Sequence, residues 1–445
     1  MKTKKALAAA LAAALAVSMA ACSGGTSSTA GTAGSGAASN AASAENGGSS
    51  ETVSLTIWSP TGEAAIEDWW VETLDAWNAE HPDVQVSREA IDRSSFYDYE
   101  NKITTATTSN TLPDILFVDG PTVSYYAANG VIVPIDGAYT DEDKEDFMPS
   151  SIQQNTYDGH MYAIGPTESS VILYYNKDYL DAANIEYPSD TDISGAWTWS
   201  EFYENAGKLT TDDYVGTNLI MDKGEGIIYG LSSFWNEADA PLISEDGTTA
   251  EGYVNSDASV EVANYINQFF QNGYANTDPV TDEFLTGHAA TMLSGTWNIQ
   301  RLEQSDLNWG VSYFPVSDDG KAVSPTGDWA AGVSKNCQNV ETTEEFLQWL
   351  MNTDNVASYA AACSTPASRT SAYEKMEGWD EGARALVRWQ LENTGVARPR
   401  SPSYSVLSSE FASAMLNIFS GADTKSELDN VAAEFDDDYQ TYYAE

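Results

Sequence analysis

The sequence predicts an α/β protein with largely parallel sheets, and three observations predict it. Short strand-like runs alternate with helical runs from Thr52 onward. Several helical runs carry their own start or stop signals. No segment of about 20–50 residues repeats itself, which sets solenoids and propellers aside. At 445 residues the chain is too long for one core and fits about two domains.

The N-terminal segment comes before any folded element. Lys2, Lys4 and Lys5 form a basic start, Ala6 to Ala21 is an apolar run dominated by Ala and Leu, and Cys22 follows. A basic start and a short apolar run make a secretory signal, too short and Ala-rich for a spanning helix. The ending "SMAAC" resembles a bacterial lipoprotein signal, in which cleavage precedes a cysteine that then carries lipid. Met19 departs from the usual Leu, and an ordinary signal cut at Ala-x-Ala is the competing reading. Residues 23–50 are almost all Ser, Gly, Ala, Thr and Asn. Such a segment buries too little apolar surface to fold and reads as a flexible tether of roughly 30 Å.

"TVSLTIWS" alternates Val53, Leu55 and Ile57 with small polar residues, as a half-buried strand does. Ala64 to Ala79 places Ile66, Trp70, Leu74 and Trp77 at helical spacing. "HPDVQVS" turns at Pro82 into a second strand, and "LPDILFVDG" is a buried strand ending in a turn. "MYAIG" and "VILYYNKD" add strand, and Asp178 opens a helix. Thr198 with Glu201, and Thr342 with Glu345, are capping-box patterns. Val262, Ile266, Phe269 and Phe270 mark a helix stopped at Gly273. "DWAAGVSK" is a short strand, and the C-terminal part is mostly helical.

A net charge of −47 repels nucleic acid and anionic lipid headgroups and excludes a DNA or RNA role. It fits an extracellular, highly soluble surface, or a cationic ligand. Catalytic signatures are missing. The sequence has no G-x-S-x-G, P-loop or dinucleotide fingerprint. His81, His160 and His288 do not pair at metal-ligand spacing, so neither a metal nor a cofactor is expected. "DEDKED" at Asp141 to Asp146 lacks the Gly and final Glu of a calcium loop and reads as a solvated acidic face. Sixty-seven acids make chance carboxylate pairs common, so a glycosidase is not excluded. Cys337 and Cys363 fit either a disulfide or two buried thiols.

The placement of aromatics is more informative. Trp58, Trp235, Trp297 and Trp329 sit at strand ends or turns beside Gly, Ser, Asn or Asp, rather than on a periodic face as Trp70 and Trp77 do. A loop Trp offers a flat ring to a ligand such as a pyranose, whose C–H face is apolar while its hydroxyls need polar partners. Singly each could be a packing residue; together they favour a binding cleft.

With these stretches in hand, the chain resembles the extracellular solute-binding proteins of sugar ABC transporters, the group that includes maltose-binding protein. The matching pieces are "LTIWSPTG", "HPDVQVS", "LPDILFVDG", "MYAIGPTESSVILYYNKDYL", "WTWSEFYENAGKL", "FLTGHAATMLSGTWNI", "GVSYFPV", "DWAAGVSK" and "ARPRSPSYSVLSSEFASAM". They run in family order from Thr52 onward, and His288 stands where the family usually has Lys. The resemblance implies a two-lobed, periplasmic-binding-protein-like type II fold with a hinge between the lobes. One lobe would hold 51–164 and 295–338, the other 165–294 and 339–445. The crossovers would lie near Tyr162 to Pro166, Met292 to Gly295 and Asn336 to Glu341.

The resemblance further implies a non-enzymatic, monomeric receptor that delivers a sugar to permease subunits from the outer face of a Gram-positive membrane, held there by lipid on Cys22. Trp58, Thr61, Asp119, Glu168, Trp235, Trp297, Trp329, Arg398, Arg400 and Tyr404 would line the cleft. Trp297 and Trp235 would stack on sugar rings, Asp119 and Glu168 accept hydroxyl hydrogen bonds, and Arg398 or Arg400 donate them; "PRSPSY" equally suits a Pro-rich turn. Two rivals stand beside this reading: a same-fold receptor for a cation such as a polyamine, and an extracellular glycosidase.

Overall fold

Bulky aromatics at helical spacing decide how the first lobe is built. In the computed structural model, which describes residues 52–92, 98–327 and 329–444, the helix Ala64–Glu80 buries Trp69, Trp70, Leu74 and Trp77. Their spacing puts one face against a sheet, and each fully buried side chain contributes about 1.5–3 kcal/mol. Trp77 meets Phe346 at 5.1 Å between ring centroids, and the Trp69 indole N–H donates to Ser358 Oγ at 2.8 Å. The predicted signal with Cys22 and the 23–50 tether lie outside the described residues.

The sheet beneath is ordered Val84–Ile91, Val53–Pro60, Ile115–Asp119, Trp329–Ser334, Ile132–Val133, with Ala163–Ile164 also on Trp329–Ser334. The first three strands are parallel, and Trp329–Ser334 runs antiparallel to Ile115–Asp119. A second sheet is ordered Gly395–Ala397, Ser324–Gly327, Ser169–Asn176, Ala289–Gly295, Val215–Asn218, with Trp309–Ser312 also on Ser169–Asn176. Ser169–Asn176 is buried along its whole length, as a central strand covered on both faces must be. Helices Glu225–Glu237, Asp257–Gln271, Tyr404–Phe419 and Thr424–Tyr442 share a large core on this sheet.

The chain passes between the sheets three times: at 165–168, at 327–329, and between Met376 and Gly382. This corrects the expected lobe boundaries. The strand Ala289–Gly295 pairs antiparallel with Ser169–Asn176, and Ile299 and Leu302 of the next helix share a cluster with Tyr174 and Val311. Met292 to Gly295 is therefore no crossover, and 295–327 stays in the second lobe. Nor does the chain cross near Asn336 to Glu341. The helices Val340–Leu350 and Thr353–Cys363 pack on the first lobe's core through Phe346, Leu347 and Val356. The chain returns with Gly382–Thr394, where Gln390 Nε2 donates to the Val171 carbonyl at 2.8 Å.

The first crossing touches its neighbours through main chain. A Cβ on Gly165 would lie 2.4 Å from the Trp329 carbonyl oxygen, so only glycine lets these segments meet. The Glu168 amide donates to the Pro366 carbonyl at 2.9 Å, and the Ser368 amide to that of Pro166 at 3.1 Å.

Local signals fared unevenly. The capping box of Thr198 and Glu201 forms at the start of Trp199–Leu209. The helix over Thr342 instead starts after Asn339, leaving Thr342 inside it. Asp141–Asp146 is a short helix with no buried residue, a solvated acidic face as expected, and its Asp143 carboxylate pairs with Arg369 at 2.8 Å. Cys337 and Cys363 are not joined to each other. Among the described residues no helix is long and apolar enough to cross a membrane, and no His, Cys, Asp and Glu cluster could hold a metal.

Candidate functional site

Between the two sheets lies a cavity of about 760 Å³. Ile66, Asp119, Trp329 and Tyr359 line it from the first lobe; Asp222, Glu225, Tyr229, Trp297 and Arg398 from the second. Asp119 is delivered by the end of a buried parallel strand, where α/β sheets place ligand-binding groups. Trp329 opens the returning strand beside it.

Trp297 owes its position to the residue two before it. It caps the helix Asn298–Glu303, and its ring lies over Gly295, where a Cβ would be 2.0 Å from the ring. The Ser294-Gly295 break thus makes room for an indole rather than marking a change of lobe. The ring runs beside Tyr229, with centroids 6.0 Å apart and planes 21° apart, and Trp297 stays 42% exposed. Tyr229 is fixed from behind, its hydroxyl 2.8 Å from Ser169 Oγ. The two rings thus stack on one wall, with Trp297 the exposed member and Tyr229 buried behind it.

Arg398 closes one end. It is 5% exposed, and its guanidinium grips both oxygens of Asp119 at 2.7 and 3.0 Å across the two lobes. It also pairs with Glu225 and lies 4.9 Å from the Tyr229 ring centroid. Gly327 makes this possible, since a Cβ there would stand 2.1 Å from Arg398 Nη2. The Glu225 carboxylate also accepts from the hydroxyls of Tyr404 and Ser408. Burial pushes the Glu225 carboxyl above the usual range, against the pull of Arg398. At the other wall Asp222 accepts from the amides of Gly224 and Gly226 at 2.7 and 3.0 Å.

Of the expected cleft residues, Asp119, Trp297, Trp329 and Arg398 line this cavity, and six do not. Trp235 is 0% exposed: it packs against Phe411 and donates to Ser259 Oγ at 2.6 Å, so it has no free face. Tyr404 is equally buried and reaches the site only through Glu225. Glu168 is buried at the first crossing, taking the Gln154 amide at 2.9 Å and the Ser151 hydroxyl. Trp58 is half-buried with Lys102 at 4.2 Å from its ring centroid, and the exposed Thr61 extends the neighbouring sheet edge through its amide. Arg400 is exposed, donates to the Gln153 carbonyl at 3.0 Å, and lines a separate cavity of about 250 Å³. Sequence reasoning missed Tyr229, Asp222 and Glu225, which open a helix that reads as plain core; the one available signal was the "DKGEG" turn before it.

The family model for bacterial extracellular solute-binding proteins matches residues 72–385. A galactooligosaccharide-binding protein of Bacillus subtilis (strain 168) is 23% identical over 341 residues, 73% of this chain and 76% of that protein. A maltooligosaccharide ABC transporter solute-binding lipoprotein of Streptococcus pneumoniae (R6) is 22% identical over 360 residues, 78% of this chain and 79% of that protein. Among solved structures, the GacH receptor of Streptomyces glaucescens aligns with a TM-score of 0.73 at 23% identity, covering 88% of this chain and 98% of that one. The fold is that of two-lobed, type II periplasmic-binding proteins. The family match spans most of the folded body, and by it the chain belongs to the bacterial extracellular solute-binding proteins.

Proposed function

We propose that this protein is the receptor of an ABC importer, capturing a sugar or oligosaccharide between its lobes and handing it to permease subunits without chemical change. The observation that carries the reading is the exposed Trp297 ring stacked on Tyr229 in a cavity that Asp222, Asp119 and Arg398 also line. Stacked aromatics with polar groups at their edges suit a pyranose. Sugar-binding relatives agree with it. Arg398 in the wall counts against a polyamine-type cation.

The rest follows from the N-terminus. Cys22 carries lipid, residues 23–50 tether the body, and the protein works as a monomer on the outer face of the cell membrane. Cys22→Ala would then release it into the medium and abolish labelling with a palmitate analogue; persistence of both labelling and attachment would refute anchoring at Cys22.

The function is tested by thermal shift against neutral oligosaccharides and polyamines, followed by calorimetry, since bound ligand raises the melting temperature by mass action. Stabilisation by at least one sugar and not by spermidine is expected. A silent sugar panel refutes the reading, and release of smaller saccharides during incubation favours a glycosidase.

A further inference from the structure

Two carboxylates share one cation at the seam between the lobes. Arg398 and Glu225 belong to the second lobe, and Asp119 reaches Arg398 from the first. Glu225 also takes the hydroxyls of Tyr404 and Ser408 from the helix Tyr404–Phe419. In the turn before Glu225, the Asp222 carboxylate caps the Gly224 and Gly226 amides, and Lys223 turns to Asp278. The strands Ser324–Gly327 and Ala289–Gly295 also pack on the Glu225 helix and carry no titratable residue. The helix Asp257–Gln271 meets it at its other end, through Phe234 and Trp235. Arg398 and Asp119 are therefore the charges that govern the Glu225 carboxyl.

The two differ in what they do when the lobes part, the hinge motion of such binding proteins. Asp119 leaves with its own sheet, while Arg398 stays beside Glu225. The open state then has one carboxylate for one cation in a wetter setting, and both changes favour the ionised acid. Closing dries the site and brings up a second negative charge. Burial, and next the Asp119 charge, raise the Glu225 carboxyl to about 7 against the pull of Arg398. The closed form thus binds this proton more tightly than the open form. Its advantage is complete below the range in which the open form titrates and is lost as pH rises through about 7.

We infer that Glu225 is a positioning residue whose protonation is linked to lobe closure: closing takes up a proton there, so the protein holds its solute more tightly as pH falls. The effect on affinity rests on the sugar-receptor reading; the effect on lobe opening does not.

The test has a ligand-free and a ligand-bound arm. In small-angle scattering the ligand-free wild type should have a larger radius of gyration at pH 8 than at pH 5.5. Glu225→Gln keeps the shape of the neutral acid at every pH and should stay at the smaller radius. Calorimetry with maltotriose and galactotriose at pH 6.5, in phosphate and in imidazole, reads the protons exchanged on binding, because the two buffers differ in ionisation enthalpy. The wild type should take up protons and bind about three- to tenfold more weakly at pH 8 than at pH 5.5. Glu225→Gln should do neither, which separates this carboxyl from every other titrating group, the three histidines included. Asp119→Asn removes the charge that closing brings up and should shrink both effects, which a residue that merely packs would not do. A wild type with no proton uptake and a radius that does not move with pH overturns the inference, as do effects that persist unchanged in Glu225→Gln. If neither trisaccharide binds while the radius still depends on Glu225, the sugar-receptor reading fails and the link between opening and the proton holds.

Discussion

Cutting the bridge between Arg398 and Asp119 is the most informative perturbation the structure offers. The side chains are 4% and 17% exposed, and the guanidinium holds both carboxylate oxygens across the two lobes. Removing one partner from a buried ion pair costs about 3–5 kcal/mol, because it strands the other. The two ends of the bridge differ. Asp119→Ala leaves Arg398 with Glu225, so its cost falls near the lower bound. Arg398→Met leaves two carboxylates with no cation between them, so its cost falls near the upper one. At about 2.1 cal/mol/K per residue over about 390 folded residues, the melting temperature falls by about 4 °C for the first and about 6 °C for the second. Differential scanning calorimetry reads both shifts. Because the bridge joins the lobes, small-angle scattering of ligand-free Asp119→Ala should also give a larger radius of gyration than the wild type. Shifts below about 1 °C for both variants, with unchanged scattering, would refute the assignment of this pair as an interlobe clasp.

Other consequences are sharper in sign than in size. Trp297→Ala should cost about 1–3 kcal/mol of sugar affinity in calorimetry while moving stability little, because 42% of the residue is already exposed. Gly295→Ala should weaken binding although every aromatic is retained: its Cβ would occupy the space of the indole, and a changed tryptophan emission would report the displaced ring. Glu237 predicts a pH dependence. Burial pushes its carboxyl up to about 9, against hydrogen bonds from the Val323 amide and the Trp199 indole. A carboxyl raised above its unfolded value is a stabilising proton site in the folded state, so its contribution is complete below the usual carboxylate range and is lost as pH rises to about 9. Urea midpoints should therefore fall from pH 5 to pH 9 more steeply in the wild type than in Glu237→Gln, and parallel curves would contradict this.

Much of the fold was legible because its signals are local. The Trp70, Leu74 and Trp77 spacing marks a helix face, and the Thr198 and Glu201 pair marks a helix start, whatever lies elsewhere. The errors arise where a distant partner decides. Trp235 sits beside Asn236 and Glu237, a composition typical of an exposed turn, yet Phe411 buries it. Tyr404 looked like a cleft residue and instead donates to Glu225, 179 positions away. The Ser294-Gly295 pair resembled a hinge because glycine permits many things, and here it permits an indole. Among the residues that line the cavity, Asp119, Trp297, Trp329 and Arg398 were legible from their strand-end or turn positions and the family resemblance. Tyr229 was hidden in an apolar helix, because periodicity alone does not separate a face turned to a core from one turned to a cavity.

The first crossing between the lobes is held to its neighbours by amide and carbonyl groups, with Gly165 against the Trp329 carbonyl. Backbone hydrogen bonds depend little on which side chain a residue carries, Gly165 being the exception here. Substitutions in the cavity walls can therefore accumulate without altering how the chain passes from one lobe to the other. On such a scaffold the wall residues can be edited while the path of the chain between the lobes stays fixed.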